Sequence, residues 1–486
     1  MEKKTGNGIN KGLELVPGTV PVESSTSLTL QRLFFVGIAL GLLFNAQYDP
    51  LMACAGLSIL AYILTTILIP AFGPAFVRVG FFGRDLGKKD RPILPETMGF
   101  VCAIVYLMTM FFFIPFLFYK YFVTETSGSG NREQFVDTSA QMIHKGRQLK
   151  LFPHSKLAEY LAALLSSFSM LVLGVADDLF DIRWRDKLFL PAIAILPLVF
   201  VYYVDFGVTS VVVPSFLSKI SNTELPMTID LGIFYYIYML AVAIFCPNSI
   251  NIFAGINGLE AGQSFVIAIF LLINDAFYIV PGRILELHPP HPATEAHLLS
   301  VYMVLPMIAV TAALLKFNWY PARVFVGDTY CYFAGMVFAQ VGILGHFAKT
   351  LLLFLIPQVL NFIYSAPQLF GLVDCPRHRL PRLDPETGLL EASRVYFTEV
   401  PPKGLQAILL STLGKMKLLH LERNPETGTI LSASNLTIIN LVLTWSGPLR
   451  EDKLAIVLLG IQTGFCTFGL AVRYTVAPLV FGRDNL

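Results

Sequence analysis

Charged residues are scarce in this chain, and long apolar runs take their place. Only 14% of its 486 residues are charged, while 55% are hydrophobic and the mean hydropathy is +0.64. Soluble domains average about 25% charged residues, so the composition excludes an ordinary soluble domain and predicts an integral membrane protein in a lipid bilayer. The net charge of +2 is uninformative because the bilayer dominates, and no nucleic-acid partner is expected.

Cysteine pairs and the common nucleotide-binding motifs are also missing. The six cysteines, at 54, 102, 246, 331, 375 and 466, show no Cys-x-x-Cys pairing and sit mostly in apolar runs. A thiol in such a run acts as a small hydrophobe, so no disulfide framework is predicted. No Walker A loop and no Rossmann glycine fingerprint occur in the sequence.

Ten apolar stretches predict membrane-spanning helices. They cover 51–72, 99–120, 157–176, 186–204, 231–246, 258–280, 298–316, 328–344, 347–372 and 453–472. The shorter run Leu33–Phe44 lies far from Met1 for a signal peptide, and a short span, a surface helix and part of a first hairpin are its alternatives. The predicted fold is an all-α polytopic membrane protein with about ten transmembrane helices and a small α/β insert.

Domain boundaries follow from these spans. A tail and short apolar run cover 1–50, the bundle with the candidate catalytic motifs 51–372, the insert 373–452, and the last helix with its tail 453–486. A Gly/Ser-rich loop at 121–156 reads as a flexible lumenal segment. In the insert, Pro385–Ser393 and Pro425–Ser434 nearly repeat each other and predict two hairpins. Between them, Leu405–Leu421 has a helical apolar face that rests either on lipid or on the hairpins.

Five polar segments interrupt the apolar sequence, and each follows an odd-numbered span. They are Asp85–Glu96, Ala176–Lys187, Asn248–Asn257, Phe325–Asp328 and Pro376–Arg379. Because successive spans cross the bilayer in alternation, these segments are expected at one membrane face. Loops after odd spans carry 18 Lys and Arg residues and loops after even spans carry 7, which predicts that this face is cytosolic. The only Asn-x-Ser/Thr sequon, at Asn435, shares that side and should therefore stay unmodified.

Acidic residues mark the second of these segments. Asp177 and Asp181 are four residues apart and share a helical face, whereas Asp178 points elsewhere. Like charges at this spacing repel unless a divalent cation, a lysine or an arginine lies between them, and Arg183, Arg185 and Lys187 follow at once. A solvated helix end is the plainer alternative, but carboxylates at a membrane edge are costly and usually functional.

Amides mark the third segment. Asn248 and Asn251 place two amide oxygens one helical turn apart, and such oxygens suit a hard ion such as Mg²⁺. Gly255 and Asn257 follow in a flexible turn whose backbone can approach a flat ligand closely. An ordinary Asn/Gly turn between two spans is the alternative.

The last two segments offer a ring, a carboxylate and a basic loop. Phe325 could stack on a base, and Asp328 could bind a metal or simply cap a helix. Cys375–Arg382 holds three arginines, a histidine and two prolines. Arginine binds phosphate through a rigid fork, although a basic flank after span nine would look similar.

Together these groups predict phosphoryl transfer from a nucleotide-sugar to a lipid phosphate, chemistry that needs mainly positioning and charge neutralisation. A nucleotide-sugar transporter is the alternative from another class, because intramembrane charges also mark transport pathways. Transporters often show internal repeats with a midplane site, and no such repeat is evident among the spans. A structural subunit would not need this density of acids, amides and arginines.

The motifs resemble those of the polyprenyl-phosphate N-acetylhexosamine-1-phosphate transferases. Asn251–Gln263 and Pro376–Arg379 look like the eukaryotic branch, which uses UDP-GlcNAc and dolichyl phosphate, with another polyprenyl phosphate as the alternative acceptor. The bacterial MurNAc-pentapeptide relatives have a His-rich run in place of Arg377–Arg379, which favours GlcNAc here. The resemblance implies the first step of lipid-linked oligosaccharide synthesis for N-glycosylation at the endoplasmic reticulum membrane, with the active site facing the cytosol. A homodimer is one alternative for the oligomeric state.

The resemblance also implies roles on the nucleotide side of the site. Asn251 and Asp328 would hold Mg²⁺ against the UDP diphosphate, and Arg377 would neutralise that diphosphate. Phe325 would stack on uracil in a pocket completed by Leu86, Gly255 and Asn257, and Glu96 would lie close to the nucleoside.

Further residues are assigned to the sugar and the acceptor. His378, Arg379 and Trp184 would surround GlcNAc, and Asn248 joins the substrate-binding set. The acceptor phosphate would be served by Asp177, Asp178 and Lys187, which together with Arg377 form the predicted catalytic set. Some relatives have Asn in place of Asp181, so a strict need for that carboxylate is in doubt.

Overall fold

Helices make up most of the computed structural model, which describes residues 26–47, 49–119, 153–180, 182–213, 228–285, 291, 293–376, 379–397 and 401–481. The longer helices are Thr26–Phe44, Pro50–Val79, Gly99–Phe118, His154–Phe180, Trp184–Ala194, Leu196–Asp205, Ile233–Ile252, Leu259–Ile279, Thr294–Asn318, Asp328–Leu344, Ile356–Leu369, Gly404–Lys415 and Glu451–Ala471. Shorter helices are Ala348–Phe354, Ile438–Ser446 and Ala477–Phe481, with a 3₁₀ turn at Asn45–Gln47 and π segments at Val280–Ile284 and Val472–Val476.

All ten predicted spans fall on helices. Among the described residues, seven helices are long and apolar enough to cross a membrane, and the pair Ala348–Phe354 and Ile356–Leu369, bent by 66°, makes up to eight. Predicted span 186–204 is two short helices that meet at Ile195, because Pro197 has no amide hydrogen to continue the ladder. The all-α polytopic membrane fold is confirmed, and the count of ten stays a prediction.

The short apolar run forms the first arm of a helical hairpin. It lies in the helix Thr26–Phe44, which packs against Pro50–Val79 after the turn at residues 45–49. A Cβ atom added to Gly56 would lie 2.8 Å from the Ala39 carbonyl oxygen, so glycine allows the two backbones to approach closely. Of the three alternatives for Leu33–Phe44, the hairpin describes the packing.

The helix Asp328–Leu344, called the central helix below, is surrounded by the rest of the bundle. Every residue from Thr329 to Leu344 is buried. Close packing requires glycine where this helix crosses Ile233–Ile252, because a Cβ atom on Gly335 would lie 2.3 Å from Pro247 Cα. This crossing fixes the central helix against the helix that carries Asn251.

Two more glycines bring neighbouring helices against the first turn of the central helix. A Cβ atom on Gly99 would lie 2.2 Å from Tyr330 Cβ, and one on Gly174 would lie 2.6 Å from Thr329 Cα. Gly174 is four residues before Asp178 and therefore shares its helical face. The close approach at Gly174 allows Asp178 to reach the start of the central helix.

A short hairpin joins the helices Pro50–Val79 and Gly99–Phe118 on the motif side. Strands Phe82–Arg84 and Ile93–Pro95 pair antiparallel. The segment before the central helix runs alongside, since the Phe325 amide donates to the Pro95 carbonyl at 2.8 Å and the Gly99 amide donates to the Val326 carbonyl at 2.8 Å. Another antiparallel pair, Ser210–Val212 with Thr228–Asp230, follows an even-numbered predicted span.

The insert contains both Pro-Glu-Thr-Gly segments as turns between antiparallel strands. Arg382–Leu383 pairs with Leu390–Glu391 across the first turn, and Leu421–Arg423 pairs with Ile430–Ser434 across the second. Arg394–Tyr396 pairs with the other edge of Ile430–Ser434, giving a three-stranded sheet. The helix Gly404–Lys415, called the surface helix below, connects the two hairpins.

The sequon at Asn435 is buried in this insert, with 1% of its side chain exposed. Its oxygen accepts from Gln368 Nε2 at 2.8 Å, and its nitrogen donates to Ser393 Oγ at 2.8 Å. A side chain held in this way is closed to modification once the insert has folded, so burial and a cytosolic location both favour an unmodified sequon. The sequon therefore does not report orientation, and another probe is needed.

Replacing Gly335 with alanine should destabilise the bundle, because the added methyl group meets the Pro247 backbone. Overpacking of this kind typically costs about 1–3 kcal/mol, so Gly335→Ala should lower the melting temperature of the detergent-solubilised protein. Gly464→Ala is the matched control, since Gly464 also lies within a helix but has no atom within 4 Å of an added Cβ. Alanine favours a helix over glycine, so equal melting temperatures for the two variants would contradict the packing argument.

Candidate active site

A lysine joins two acidic residues at one end of the bundle. Lys187 Nζ lies 2.9 Å from Asp177 Oδ2 and 3.5 Å from Asp328 Oδ2. Asp177 is 3% exposed, and its other oxygen accepts from the Ile182 amide at 3.1 Å. The sequence argument required a positive group between Asp177 and Asp181, and in the structure Lys187 pairs with Asp177. Asp181, which the sequence pairs with Asp177, lies outside the described residues.

Asn251 completes this acidic centre from the end of the helix Ile233–Ile252. Its side-chain nitrogen donates to Asp328 Oδ1 at 2.6 Å. The described residues contain no group of three His, Cys, Asp or Glu side chains that could hold a metal ion. The available donor set is one carboxylate and one amide oxygen, since rotation of the Asn251 amide exchanges its nitrogen for its oxygen. This set resembles a magnesium site, in which one or two carboxylates act together with water and substrate phosphates.

Asp178 caps the central helix. Its Oδ1 accepts from the Asp328 amide at 3.0 Å, and its Oδ2 accepts from the Thr329 amide at 3.3 Å and the Thr329 hydroxyl at 2.5 Å. A carboxylate at a helix N-terminus satisfies amides that lack intrahelical partners. The preceding Gly327 has φ +81°, and a Cβ atom there would lie 2.6 Å from Thr97 Cα. The cap that sequence reasoning considered for Asp328 is therefore supplied by Asp178.

Phe325 and Glu96 lie side by side against Gly83 of the hairpin. A Cβ atom on Gly83 would lie 3.0 Å from the Phe325 ring and 3.4 Å from Glu96 Oε2, so the missing side chain leaves room for both. Burial, followed by the negative charges of Asp178 and Asp328, raises the pKa of Glu96. The Phe325 ring and the Glu96 carboxyl group, which is the fourth acidic group here, therefore lie beside the acidic centre.

Asn257 lies in a buried ionic network that sequence reasoning missed. Its side-chain nitrogen donates to Asp85 Oδ2 at 2.9 Å, and its backbone amide donates to Glu451 Oε1 at 2.9 Å. Lys88 Nζ lies 2.6 Å from Glu451 Oε2, 3.2 Å from Asp85 Oδ2 and 4.2 Å from the centre of the Tyr320 ring. Burial alone would lower the pKa of Lys88, but the two carboxylates outweigh it and the pKa is raised.

The network joins segments that are far apart in sequence. Asp85 and Lys88 follow the first hairpin strand, Asn257 lies between two spans, and Glu451 begins the last long helix. In the sequence, Glu451 is marked only as an acidic residue at the start of an apolar run. Its partners cannot be deduced from residue spacing. Leu86, predicted to line the uracil pocket, lies between Asp85 and Lys88 and is 48% exposed.

Gly255 brings the Asn257 loop against the basic loop. Its φ of +132° favours glycine, and a Cβ atom there would lie 2.7 Å from Leu380 Cδ2. Its amide donates to Glu260 Oε1 at 3.2 Å. Gly255 and Asn257 are thereby held within one short turn, between the ionic network and the residue that follows Arg379.

Arg379 is held through its backbone, and its side chain is partly buried. Its carbonyl accepts from Asn440 Nδ2 at 3.0 Å and from Ser393 Oγ at 3.3 Å. Its buried Nη1 has no hydrogen-bond partner among the described residues. An unpaired buried guanidinium nitrogen is costly, and it fits the predicted contact with a substrate.

Four predicted residues, Arg377, His378, Trp184 and Asn248, have no described contact with the other site residues. Arg377 and His378 lie outside the described residues, as does the side chain of Trp184, whose backbone begins a helix. Asn248 lies one turn before Asn251, and its side-chain nitrogen donates to the Ile244 carbonyl at 2.8 Å. Their predicted roles, like the other site assignments, stay predictions.

Described residues from four of the five polar segments lie close together. Each segment contacts another directly or through one residue between them. The acidic centre, the Phe325 ring and the ionic network of Asn257 lie together at the ends of the spans on one side of the bundle. The site therefore offers negative groups for a cation, a ring beside a buried carboxylate, and a basic side chain for an anion. These are the elements that a phosphorylated nucleotide and a metal ion would need.

Comparison with known proteins gives the same picture over nearly the whole chain. Residues 160–346 match the family model described as "Glycosyl transferase family 4". The chain is 52% identical over 462 residues to the UDP-N-acetylglucosamine–dolichyl-phosphate N-acetylglucosaminephosphotransferase of Schizosaccharomyces pombe, covering 94% of this chain and 100% of that protein. It is 49% identical to the Saccharomyces cerevisiae protein of the same name, covering 94% and 99%. The Dictyostelium discoideum protein of that name is 40% identical, covering 85% and 86%.

Identity at this level, over nearly the full length of this chain and of the two yeast proteins, agrees with the motifs and with the contacts among them. The chain belongs to the family of UDP-N-acetylglucosamine–dolichyl-phosphate N-acetylglucosaminephosphotransferases.

Proposed function

We propose that this protein transfers GlcNAc-1-phosphate from UDP-GlcNAc to dolichyl phosphate, giving GlcNAc-diphosphodolichol and UMP. The observation that carries the proposal is the acidic centre of Asp177, Lys187, Asn251 and Asp328 in a chain so similar to the named transferases. The centre lies where the spans end, so a water-soluble nucleotide and a membrane-bound phosphate can both reach it.

The reaction exchanges one phosphoanhydride bond for another. An oxygen of dolichyl phosphate attacks the phosphorus that carries GlcNAc, and a new P–O–P bond forms. The bond from that phosphorus to the oxygen of UMP breaks, and its electron pair leaves with UMP. A phosphate monoester has a second pKa of about 6, so the acceptor is largely ionised near neutral pH. A strong general base is therefore unnecessary, and Asp177 serves to position Lys187.

Charge neutralisation is the main task of the site. Lys187, held between Asp177 and Asp328, supplies a positive charge where the acceptor phosphate would approach. Arg379 has a buried guanidinium nitrogen free to bind the sugar or diphosphate. Arg377 and His378 are assigned to the same ligand by the family resemblance.

Magnesium fits the residues of the acidic centre. Asp328 and Asn251 would hold it, and the remaining positions would be left for water and diphosphate oxygens. When bound, the ion would offset the charge of the diphosphate and of the leaving UMP. Asp178 occupies the amides of Asp328 and Thr329, so these amides are not available to a phosphate, which strengthens the need for a cation.

The protein would act in the endoplasmic reticulum membrane with the site facing the cytosol. The 18-to-7 distribution of Lys and Arg supports this orientation, and UDP-GlcNAc is taken from the cytosol. The basic experiment is UMP release by the purified chain from UDP-GlcNAc. Release that requires both dolichyl phosphate and Mg²⁺ supports the proposal. Uptake of UDP-GlcNAc into proteoliposomes without UMP release would favour a transporter instead.

Asp328→Asn should abolish both transfer and the effect of Mg²⁺ on nucleotide binding. Loss of a metal ligand removes several kcal/mol of charge stabilisation, so kcat/KM should fall about 100-fold or more. Calorimetry should show that Mg²⁺ strengthens UDP binding to wild type but not to the variant. Asp90→Asn, an exposed carboxylate on the same side, is the control. Retention of the Mg²⁺ effect by Asp328→Asn would refute the metal assignment.

Glu451→Gln should weaken UDP-GlcNAc binding more than it affects the acceptor, because Glu451 positions the Asn257 turn without touching substrate. Losing a charge-assisted contact worth about 1.5–3 kcal/mol should raise KM for UDP-GlcNAc about 10- to 150-fold, with small changes in kcat and in KM for dolichyl phosphate. Asp452→Asn is the control, since Asp452 pairs with the exposed Arg450. A uniform loss for both substrates would mean that Glu451 only supports the fold.

Cys375 provides a built-in probe of orientation. All six cysteines lie among the described residues, and Cys375 is the exposed one. In sealed microsomes with the cytosolic face outward, a membrane-impermeant maleimide should label wild type but not Cys375→Ser. Labelling only after permeabilisation would reverse the orientation and remove the site from cytosolic UDP-GlcNAc.

A further inference from the structure

The surface helix Gly404–Lys415 has apolar residues on two sides. Leu405, Ile408 and Met416, called the outer stripe below, follow one another at helical spacing and are 66%, 64% and 63% exposed. An adjoining side packs into the core of the insert through Leu409, Leu410 and Leu413. The packing that sequence reasoning favoured is therefore present, yet it uses only one side of the helix. Three large apolar side chains remain exposed next to it.

Hydrogen bonds locate the end of this helix relative to the membrane spans. Asn361 Nδ2 donates to the carbonyl of Ile252, the last residue of a long apolar helix. Tyr364, three residues further along its own helix, donates from its hydroxyl to the Leu418 carbonyl at 2.5 Å. Three helical residues rise about 4.5 Å. Leu418, just beyond the surface helix, is thus held about one helical turn from the residue that contacts the end of an apolar helix.

The contact lies beside the lipid-facing flank of the helix Ile356–Leu369. Leu360 and Ile363 on that helix are 44% and 62% exposed, and Phe370 just after it is 66% exposed. Tyr364 is four residues after Leu360 and adjacent to Ile363, so it borders this exposed apolar side. The end of the surface helix therefore borders an exposed apolar surface on a helix that, with its bent partner, is apolar and long enough to cross a membrane.

Trp445 and three lysines give this region the composition of a membrane interface. Trp445 Nε1 donates to the Lys417 carbonyl at 2.7 Å, while the residue stays 61% exposed. Tryptophan with a satisfied N–H and an exposed ring is typical of the headgroup layer. Lys403, Lys415 and Lys417 are exposed around the helix ends, and such side chains reach lipid phosphates while their stems stay on apolar surface.

We propose that the outer stripe and Trp445 lie in the boundary between headgroups and acyl chains of the leaflet on the active-site side. The surface helix is then an interfacial helix in the plane of the membrane, with the three lysines on lipid phosphates. The insert, which holds Arg379 through Asn440 and Ser393, is thereby anchored to lipid as well as to the bundle. This inference rests on the membrane fold and does not depend on the reaction.

Fluorescence quenching by lipids in the intact protein tests the proposal. In a Cys375→Ser background the other cysteines are buried, so Ile408→Cys can be labelled with an NBD fluorophore and reconstituted in phosphatidylcholine–phosphatidylserine nanodiscs. We expect blue-shifted emission that lipids with a spin label near the headgroup end of the acyl chain quench severalfold. Glu426→Cys, on the exposed hairpin turn of the same insert, is the matched control and should show water-like emission with little quenching.

Two outcomes would overturn the proposal. Lipid quenching at 408 that is as weak as the quenching at 426 would place the stripe in water. Protection of the 408 label from aqueous iodide without lipid quenching would show that protein, such as a second copy, covers the stripe.

Intrinsic fluorescence gives an independent reading if the labelled variant does not fold. Brominated lipid should quench part of the wild-type tryptophan emission, and Trp445→Phe should remove that part. An unchanged quenched fraction in Trp445→Phe would also contradict the proposal.

Discussion

The cap that Asp178 places on the central helix is the contact on which the rest of the site depends. It fixes the amides of Asp328 and Thr329 and so sets where the Asp328 side chain begins. That side chain then meets Lys187 and Asn251 from two other helices. The arrangement is possible because Gly174 and Gly99 bring their backbones against the same helical turn. A movement at the cap would displace the acidic centre as a unit.

The same contacts leave an excess of negative charge at the membrane edge. Asp177, Asp178, Asp328 and Glu96 converge, whereas Lys187 is the one cation that the described residues place among them. Grouped carboxylates with this little compensation are costly when partly buried. A bound divalent ion would relieve that cost, and it would bring a diphosphate with it. Stability and substrate binding are in this sense linked at one centre.

Sequence reasoning succeeded where the signal is local and failed where it depends on distant contacts. The helices, the acidic centre and the convergence of the motifs follow from apolar length, residue chemistry and parity. The break at Ile195 needed attention to Pro197, which is local but easily hidden in an apolar run. Glu451 could not be assigned, because its contact with Asn257 spans 194 positions. Likewise, no spacing rule identifies Asp178 as the cap of a helix 150 residues away.

The two substrates of the proposed reaction come from water and from the membrane, and different parts of the fold would bind them. The proposed nucleotide pocket is built from loops beyond the helix ends, so its shape depends on long-range contacts such as those of Lys88 and Glu451. The acidic centre is instead built on helix ends, whose depth is set by the bilayer. An insert that only floated above the membrane would let Arg379 move relative to that centre. Hydrogen bonds to Asn361 and Tyr364, together with the proposed lipid contact of the outer stripe, hold both parts at one depth.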